Sequence, residues 1–456
     1  MYIPKKKPVT DIHFEKKYQN KEAFYGLPFD LKYCQKCVIS NQRPNSEIEY
    51  LHTISTKKKT IKFHEGICDA CKVSLQKKEV IDWSEREKEL SDICNKYRSK
   101  NGSYDCLVPG SGGKDSFYVS YILKHRYKMN PLTVTWAPLM PTEWGYKNME
   151  SWSNSSLDNI YFRPNKRVQR LLTRLSIENL FHPFQSFMFG QKLLAPKIAS
   201  KFNLKLIFYG ENQAEYGNDS NDLNSYLMKS NFFSTDELDE DKIFISGISI
   251  KELKKNFFLS DGDLSHYIPL KNDEIKTKNI SVYFMSHFVK WHPQSNYYFD
   301  KKNSEFVTAP ERLQGTYTKY VSTDDKMEYF NYFSLGVKYG IGWTSNTASY
   351  EIRDGDLTRS EGIDLVKKFD HEYPTRYLDE FLKFISLEDT KFPKKILDNF
   401  EQPIVDEDYF KNLTDSFRSP HIWKLKNNTW SLRFPINIMS DKKNEDQQLE
   451  KWKGNK

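Results

Sequence analysis

The stretch Pro109-Gly110-Ser111-Gly112-Gly113-Lys114-Asp115-Ser116 holds the residues best placed for chemistry. It follows the apolar run Tyr104-Asp105-Cys106-Leu107-Val108 and precedes residues 117–126, which read as a helix. Glycines let such a turn bring bare backbone N–H groups against an anion, and the helix N-terminus adds partial positive charge. A phosphate suits that geometry; a glycine-rich turn without a ligand is the plain alternative. The Walker A pattern does not apply, because Val108 and Asp115 stand where it needs glycine and Ser or Thr. A second group is Cys34-Gln35-Lys36-Cys37 with Cys68-Asp69-Ala70-Cys71. Two CxxC knuckles in one chain match a zinc ribbon, four thiolates closing one tetrahedral ion. A redox disulfide pair is the alternative. Four sulfurs leave no open coordination position, so Cys34, Cys37, Cys68 and Cys71 are assigned to a structural zinc, with His64 surplus at the surface.

The elements that must position these groups alternate. An amphipathic helix over 83–97 precedes strand 104–108, helix 116–124, strand 132–136, a helix near 147–154 and strand 159–162. Helices over 166–180 and 187–202 and strand 204–209 follow. This order argues for an α/β fold, a parallel sheet with helices on both faces, in the Rossmann-like manner. Such sheets bind ligands beyond the carboxyl ends of their strands. The loop at Gly110, the residues after Trp136 and the turn Gly210-Glu211-Asn212 then share one edge. The expected division is an arm, ribbon and connecting helix over 1–98, the α/β domain over 99–280, a mainly helical region over 281–440 and a charged tail over 441–456. Residues 218–242 are polar and rich in Asn and Asp, and read as a mobile insertion near the ligand edge, a lid. Thr358-Arg359-Ser360-Glu361 is a capping box.

Bulk properties narrow the class. The chain has 456 residues, 38% hydrophobic, 15% aromatic, with net charge +8. Its mean hydropathy of −0.73 excludes a membrane protein, no apolar run approaches a span, and residues 1–7 lack an apolar signal core. The expected location is the cytoplasm, where structural disulfides are disfavoured. The basic residues are dispersed, so the charge suits anionic small molecules as well as nucleic acid, and no nucleic-acid or membrane partner is expected.

The Ser-Gly-Gly-x-Asp-Ser run at 111–116 resembles the pyrophosphate (PP) loop of ATP pyrophosphatases, which cleave ATP between its α and β phosphates. Further runs are similar to the N-acetyl sugar amidotransferases: Leu171–Leu175, Glu178–Phe184, Gly190-Gln191-Lys192, Ala195-Pro196-Lys197 and Phe208–Gly217. So are Ala309–Arg312, Gly315–Tyr320, Asp324-Asp325-Lys326, Phe369–Tyr377 and Arg418–Trp423. The likeness runs from about Tyr33 to Trp423 in one order. It implies an enzyme of bacterial surface-glycan synthesis, in lipopolysaccharide O-antigen or flagellin pathways. Such enzymes convert an acetamido group on a sugar into an acetamidino group with ATP and ammonia. The resemblance also implies Mg²⁺ and, as ammonia source, a glutaminase and cyclase pair like that of histidine biosynthesis. The absence of an evident nucleophilic cysteine agrees: Cys106 sits in the core strand and Cys94 on the amphipathic helix.

On this reading Ser111, Gly112, Gly113, Lys114 and Ser116 cradle the phosphates, although Lys114 occupies the variable position, where a solvent-facing side chain would serve. Asp115 is a Mg²⁺ ligand or a helix N-terminal carboxylate. Trp136 and Ala137 hold adenine, or Trp136 is plain core. Gly210 permits close approach of the nucleotide, and Glu211 takes the ribose or the metal. Lys192 and Lys319 supply charge to the α-phosphate or substrate, with Arg174, His182 and Arg312 as weaker candidates. The rival class is a tRNA-thiolating enzyme, which also joins a PP-loop to CxxC pairs but carries an extra catalytic cysteine and a denser basic surface.

Overall fold

The computed structural model describes residues 23–218, 225–388 and 391–436. The arm over 1–22, part of the polar insertion (219–224) and the tail from 441 lie outside the described residues. Five strands form the central sheet: β1 (Cys106–Pro109), β2 (Pro131–Trp136), β3 (Asp158–Phe162), β4 (Leu206–Tyr209) and β5 (Ser281–Phe284). Their order is β5-β4-β1-β2-β3, and every pairing is parallel. The helices that bear on the site are α1 (Asp69–Glu79), α2 (Trp83–Tyr97), α3 (Lys114–His125), α4 (Glu143–Asn154), α5 (Lys166–Leu180), α6 (Gln185–Phe202), α7 (Pro293–Asn303) and α8 (Met327–Tyr339).

The two-residue period of a strand sends neighbours to opposite faces. Leu107 and Ile207 pack into the cluster containing α5 and α6, whereas Cys106, Val108, Leu206 and Phe208 pack with Phe117, Leu123 and Leu90 of α3 and α2. Both faces are covered, which is why these strands read as continuous apolar runs. The sheet with helices on both sides, the four-cysteine unit before it and the helices after it follow the order read from the sequence.

Two expectations need correction. The sheet does not stop before residue 281: β5 lies along β4, in the stretch read as the start of the helical region. Four residues carry too little periodicity to announce a strand. Nor is the described part of the 218–242 segment a loose lid. Met228 donates its N–H to the Val282 carbonyl at 2.8 Å, and Phe284 donates to the Tyr226 carbonyl at 2.9 Å. Ser234–Thr235 pairs with Leu270–Lys271, and Met228 and Phe233 are buried. The segment covers the open edge of β5, whose backbone groups would otherwise lack partners. Among the described residues no helix is long and apolar enough to cross a membrane.

Candidate active site

Strand order reverses between β1 and β4, so the chain leaves these two neighbours in opposite directions and opens a crevice at their carboxyl ends. The loop after β1 and the Gly210-Glu211 turn after β4 flank it. Gly110 donates to Val134 O at 3.0 Å, and a Cβ there would lie 2.2 Å from Ser116 Cβ. Gly112 has φ +82°, and a Cβ there would meet the α4 backbone at Met149 Cα, 2.6 Å away. Only glycine satisfies both positions. Gly113 caps α3 without a side-chain bond, so the first N–H groups of the helix are available to an anion.

A cavity of 340 Å³ lies over this edge. Gly110, Ser111, Gly113, Lys114, Asp115 and Ser116 line it from the loop, with Trp136, Lys192, Gly210 and Glu211 from three other elements. Lys114 does not face solvent: it is 6% exposed and pairs with the Asp115 carboxylate. Asp115 Oδ1 also accepts from Asn296 Nδ2 of α7 at 3.1 Å. Trp136 serves both the cavity and the core. It packs edge-on to Tyr267 and against Phe162, and a Cβ on Gly190 of α6 would lie 2.0 Å from its ring. Gly190 therefore lets the α6 backbone rest on the indole.

Other expected residues lie elsewhere. Ala137 does not line the cavity; its N–H donates to Phe162 O at 2.9 Å, so β3 takes the donor meant for adenine. Lys319 is also outside the lining, with Nζ on the Pro310 carbonyl at 3.2 Å. The turn over 309–319 folds on itself through Ala309 N to Lys319 O and Leu313 N to Thr318 O, both 2.9 Å, which leaves Lys319 outside while Tyr320 lines the cavity. Arg174 is fully buried on Glu178 and on the carbonyls of Ile385, Gln402 and Pro403. Arg312 makes a two-pronged pair with Glu372 at 2.8 and 2.7 Å. His182 stands against His52 away from the cavity.

The sequence reading missed the acidic side of the site. Asp324, Asp325 and Glu328 line it, and Asp325 accepts from the N–H groups of Met140 (3.0 Å) and Met327 (2.9 Å) as well as Leu139. The only signal was the Asp324-Asp325 pair, which carried no role of its own. Glu211 is pushed up to about 7 by burial and then by the charge of Asp115. Burial, then the charges of Asp324 and Asp325, raises the Glu328 carboxyl well above its ordinary range. These carboxylates are hard oxygen donors facing the phosphate loop, but no three of them converge within 4.8 Å, so a divalent cation such as Mg²⁺ would take one or two of them and the phosphates as its remaining ligands.

The cysteines form a separate unit. Cys34 Sγ and Cys71 Sγ are 3.8 Å apart, and Cys37 Sγ and Cys68 Sγ 3.7 Å. A zinc tetrahedron with Zn–S of about 2.3 Å has edges of about 3.8 Å; these two edges match it, and all four sulfurs lie within 4.8 Å of one another, so the set could close on one ion. Lys36, Cys37 and Cys68 donate N–H to Cys34 Sγ at 3.4–3.5 Å. His64 is 51% exposed and bonded to Asp69 at 3.1 Å, outside the set. The second knuckle opens α1, whose Lys77 pairs with Glu215 in the segment that follows Gly210-Glu211. The ribbon thereby braces one wall of the cavity.

Residues 314–435 match the family model described as "LPS biosynthesis protein WbpG-like, C-terminal domain". This match fits the N-acetyl sugar amidotransferase family. It takes in Asp324, Asp325 and Glu328, so the acidic wall belongs to the matched segment. The chain is also 37% identical over 86 residues to the uncharacterized protein MJ1599 of Methanocaldococcus jannaschii, a match spanning 18% of this chain and 30% of that protein. A solved NH3-dependent NAD synthetase from Campylobacter jejuni is 17% identical and aligns over 51% of this chain and 100% of its own, with a TM-score of 0.23. That score is too low to support an argument, and the architecture rests on the strand order above.

Proposed function

We propose that the chain is an ATP-dependent amidotransferase of bacterial surface-glycan synthesis. It replaces the oxygen of an acetamido group on a sugar, nucleotide-linked or not, by ammonia to give an acetamidino group. The observation that carries this reading is one cavity in which a glycine loop with free helix N–H groups meets a wall of carboxylates belonging to the segment similar to a lipopolysaccharide biosynthesis domain.

An amide carbonyl is a poor electrophile with a poor leaving group. In the proposed reaction its oxygen attacks the α-phosphorus of ATP, the bond between the α-phosphorus and the bridging oxygen breaks, and pyrophosphate leaves. Ammonia then adds to the imidate carbon, the carbon–oxygen bond breaks with AMP as leaving group, and a proton is lost. The N–H groups at the start of α3 and the Ser111 hydroxyl hold the departing phosphates, while Ser116 Oγ, bonded to the Gly113 carbonyl at 3.0 Å, would have to turn to join them. Lys192, half-buried beside Phe232, faces the transferring phosphate or the sugar. Asp115, with Glu211 across the crevice, would hold Mg²⁺ together with the phosphates, and the ion would supply charge neutralisation there. The ribbon cysteines would hold zinc for structure. The glutaminase and cyclase pair remains part of the proposal as the ammonia source.

Incubation with ATP, ammonium and a panel of N-acetylated sugars tests the reading. Pyrophosphate release that depends on the sugar, with the mass change of oxygen replaced by an imino group, is the expected result. Release that depends on tRNA instead would replace this proposal with the thiolation reading.

A further inference from the structure

A second cavity, of 400 Å³, lies apart from the first and shares no lining residue with it. Its wall brings together Lys58, Lys338 and His52 with the hydroxyl residues Thr53, Ser55 and Thr56. Nothing in the proposed reaction uses these groups.

Lys338 of α8 is 3% exposed, and among the described residues its Nζ hydrogen-bonds only the Leu180 carbonyl, at 3.0 Å. Among the described residues it has no carboxylate within ion-pair reach. Its strongest charged neighbour is another cation, Lys58. An ammonium has three donors, and here one is hydrogen-bonded while the Tyr339 ring, 5.1 Å from Nζ, gives only partial compensation for the rest. Lys58 is better served, with Glu47 Oε1 at 3.5 Å. Lys58 Nζ also stands 3.1 Å from His52 Nε2. If that nitrogen accepts, the proton of the neutral ring sits on Nδ1. Among the described residues Nδ1 is buried without a hydrogen-bond partner, and Glu49 Oε2, likewise unbonded, lies 3.8 Å away. Burial lowers the pKa of both groups, and the charge of Glu49 offsets only part of that cost.

We infer that this cavity is a binding site for a phosphate group, carried by a small phosphorylated metabolite or free in solution, held between Lys58 and Lys338 with the His52 N–H and the hydroxyls of Thr53, Ser55 and Thr56. A tetrahedral oxyanion offers enough acceptors to satisfy both ammonium groups and the imidazole at once. The cavity exceeds the size of phosphate alone, and Tyr25 supplies an aromatic wall for an attached organic group. The field of Glu49 reaches both Lys338 here and Lys192 in the first cavity, so the two sites are electrostatic neighbours.

Tungstate soaked into crystals of the full chain is the direct test, read by anomalous scattering. A peak within hydrogen-bond distance of Lys58 and Lys338 is expected, separate from any peak at the 110–116 loop. Lys338→Met should remove the first peak and leave the second. In solution, calorimetry with inorganic phosphate and with a hexose 6-phosphate should show at least tenfold weaker binding at one class of site in that variant. Tighter binding of the ester identifies the metabolite, and equal binding identifies free phosphate. Should Lys338→Met fail to fold, Lys58→Met gives the same reading. Tungstate confined to the loop, or a second peak indifferent to both substitutions, overturns the inference. Neither outcome depends on the amidotransferase reading.

Discussion

The loop at 110–113 and the segment at 320–328 line the same cavity, yet each holds its shape by different means. The loop is built from its own neighbours: Gly110 leans on Ser116, Gly113 starts α3, and Ser116 Oγ returns to the Gly113 carbonyl at 3.0 Å. Its functional groups are backbone donors, which any adjacent strand and helix can aim. The segment at 320–328 has little such local support, chiefly the Met327 N–H on Asp325 at 2.9 Å. It is fixed from a distance by the Asp325 carboxylate, which gathers N–H groups from residues 139 and 140 after β2, and by Thr142, whose hydroxyl donates to Thr323 O at 2.6 Å. Positive character at this site is cheap to encode locally, whereas gathering carboxylates in a buried place requires anchors from elsewhere in the chain.

Breaking each side separately sharpens that contrast. Asp115→Ala should have the largest effect, since it removes both the partner of Lys114 and a metal-facing carboxylate. Loss of turnover by about 100- to 1,000-fold is expected, with zinc content unchanged and a lower unfolding midpoint because buried Lys114 loses its partner. Retained turnover would take Asp115 out of the metal-binding set. Asp325→Ala should act chiefly on stability. It strands buried N–H groups of Leu139, Met140 and Met327, each worth about 1–3 kcal/mol when left unpaired, so a loss of about 3 kcal/mol or more is expected in urea unfolding. An unfolding midpoint equal to that of the parent would mean that the segment is held by other contacts.

That division also explains what could be read from sequence. The strand, glycine turn and helix at 106–125 were legible because each signal lies beside the next. The four cysteines were legible because metal geometry restricts spacing. Lys319 misled because the reading weighs residue type, while its orientation depends on a turn closed by Ala309 and Leu313. Arg174 and Arg312 misled likewise: a charged residue in a distinctive run reads as functional, but these two are matched within the fold by Glu178 and Glu372. Glu328, Asn148 and Asn296 were invisible because α8, α4 and α7 reach the site only through tertiary packing.

A smaller effect tests the electrostatic side of the same contrast. Asp300 of α7 is 1% exposed; its Oδ1 accepts from Ser304, and its Oδ2 has no hydrogen-bond partner among the described residues. Burial first, then the charge of Asp115, pushes its pKa up to about 7. The folded chain thus keeps this proton up to about pH 7, while the unfolded chain releases it near pH 4. In that window the unfolded state binds fewer protons, so stability falls as pH rises. Asp300→Asn should flatten this decline, with a relative gain at pH 8 over pH 4 on the order of 1–3 kcal/mol. An unchanged pH slope in thermal unfolding would show that Asp300 is already ionised in the folded protein.

The smallest effect belongs to Lys319, and it is informative because Lys192 is its control. Both lysines stand in distinctive runs, and sequence alone weighs them equally. Only Lys192 lines the cavity, where burial lowers its pKa and the carboxylates Glu49 and Glu211 offset part of that cost. Lys319 spends its ammonium on an exposed carbonyl, a contact worth little in water. Lys319→Met should therefore leave sugar-dependent pyrophosphate release within about twofold of the parent, whereas Lys192→Met should lower it at least about tenfold, the loss of one charge-assisted contact. Equal losses in the two variants would mean that the 309–319 turn swings inward when substrate binds, bringing Lys319 to a cavity it does not line here.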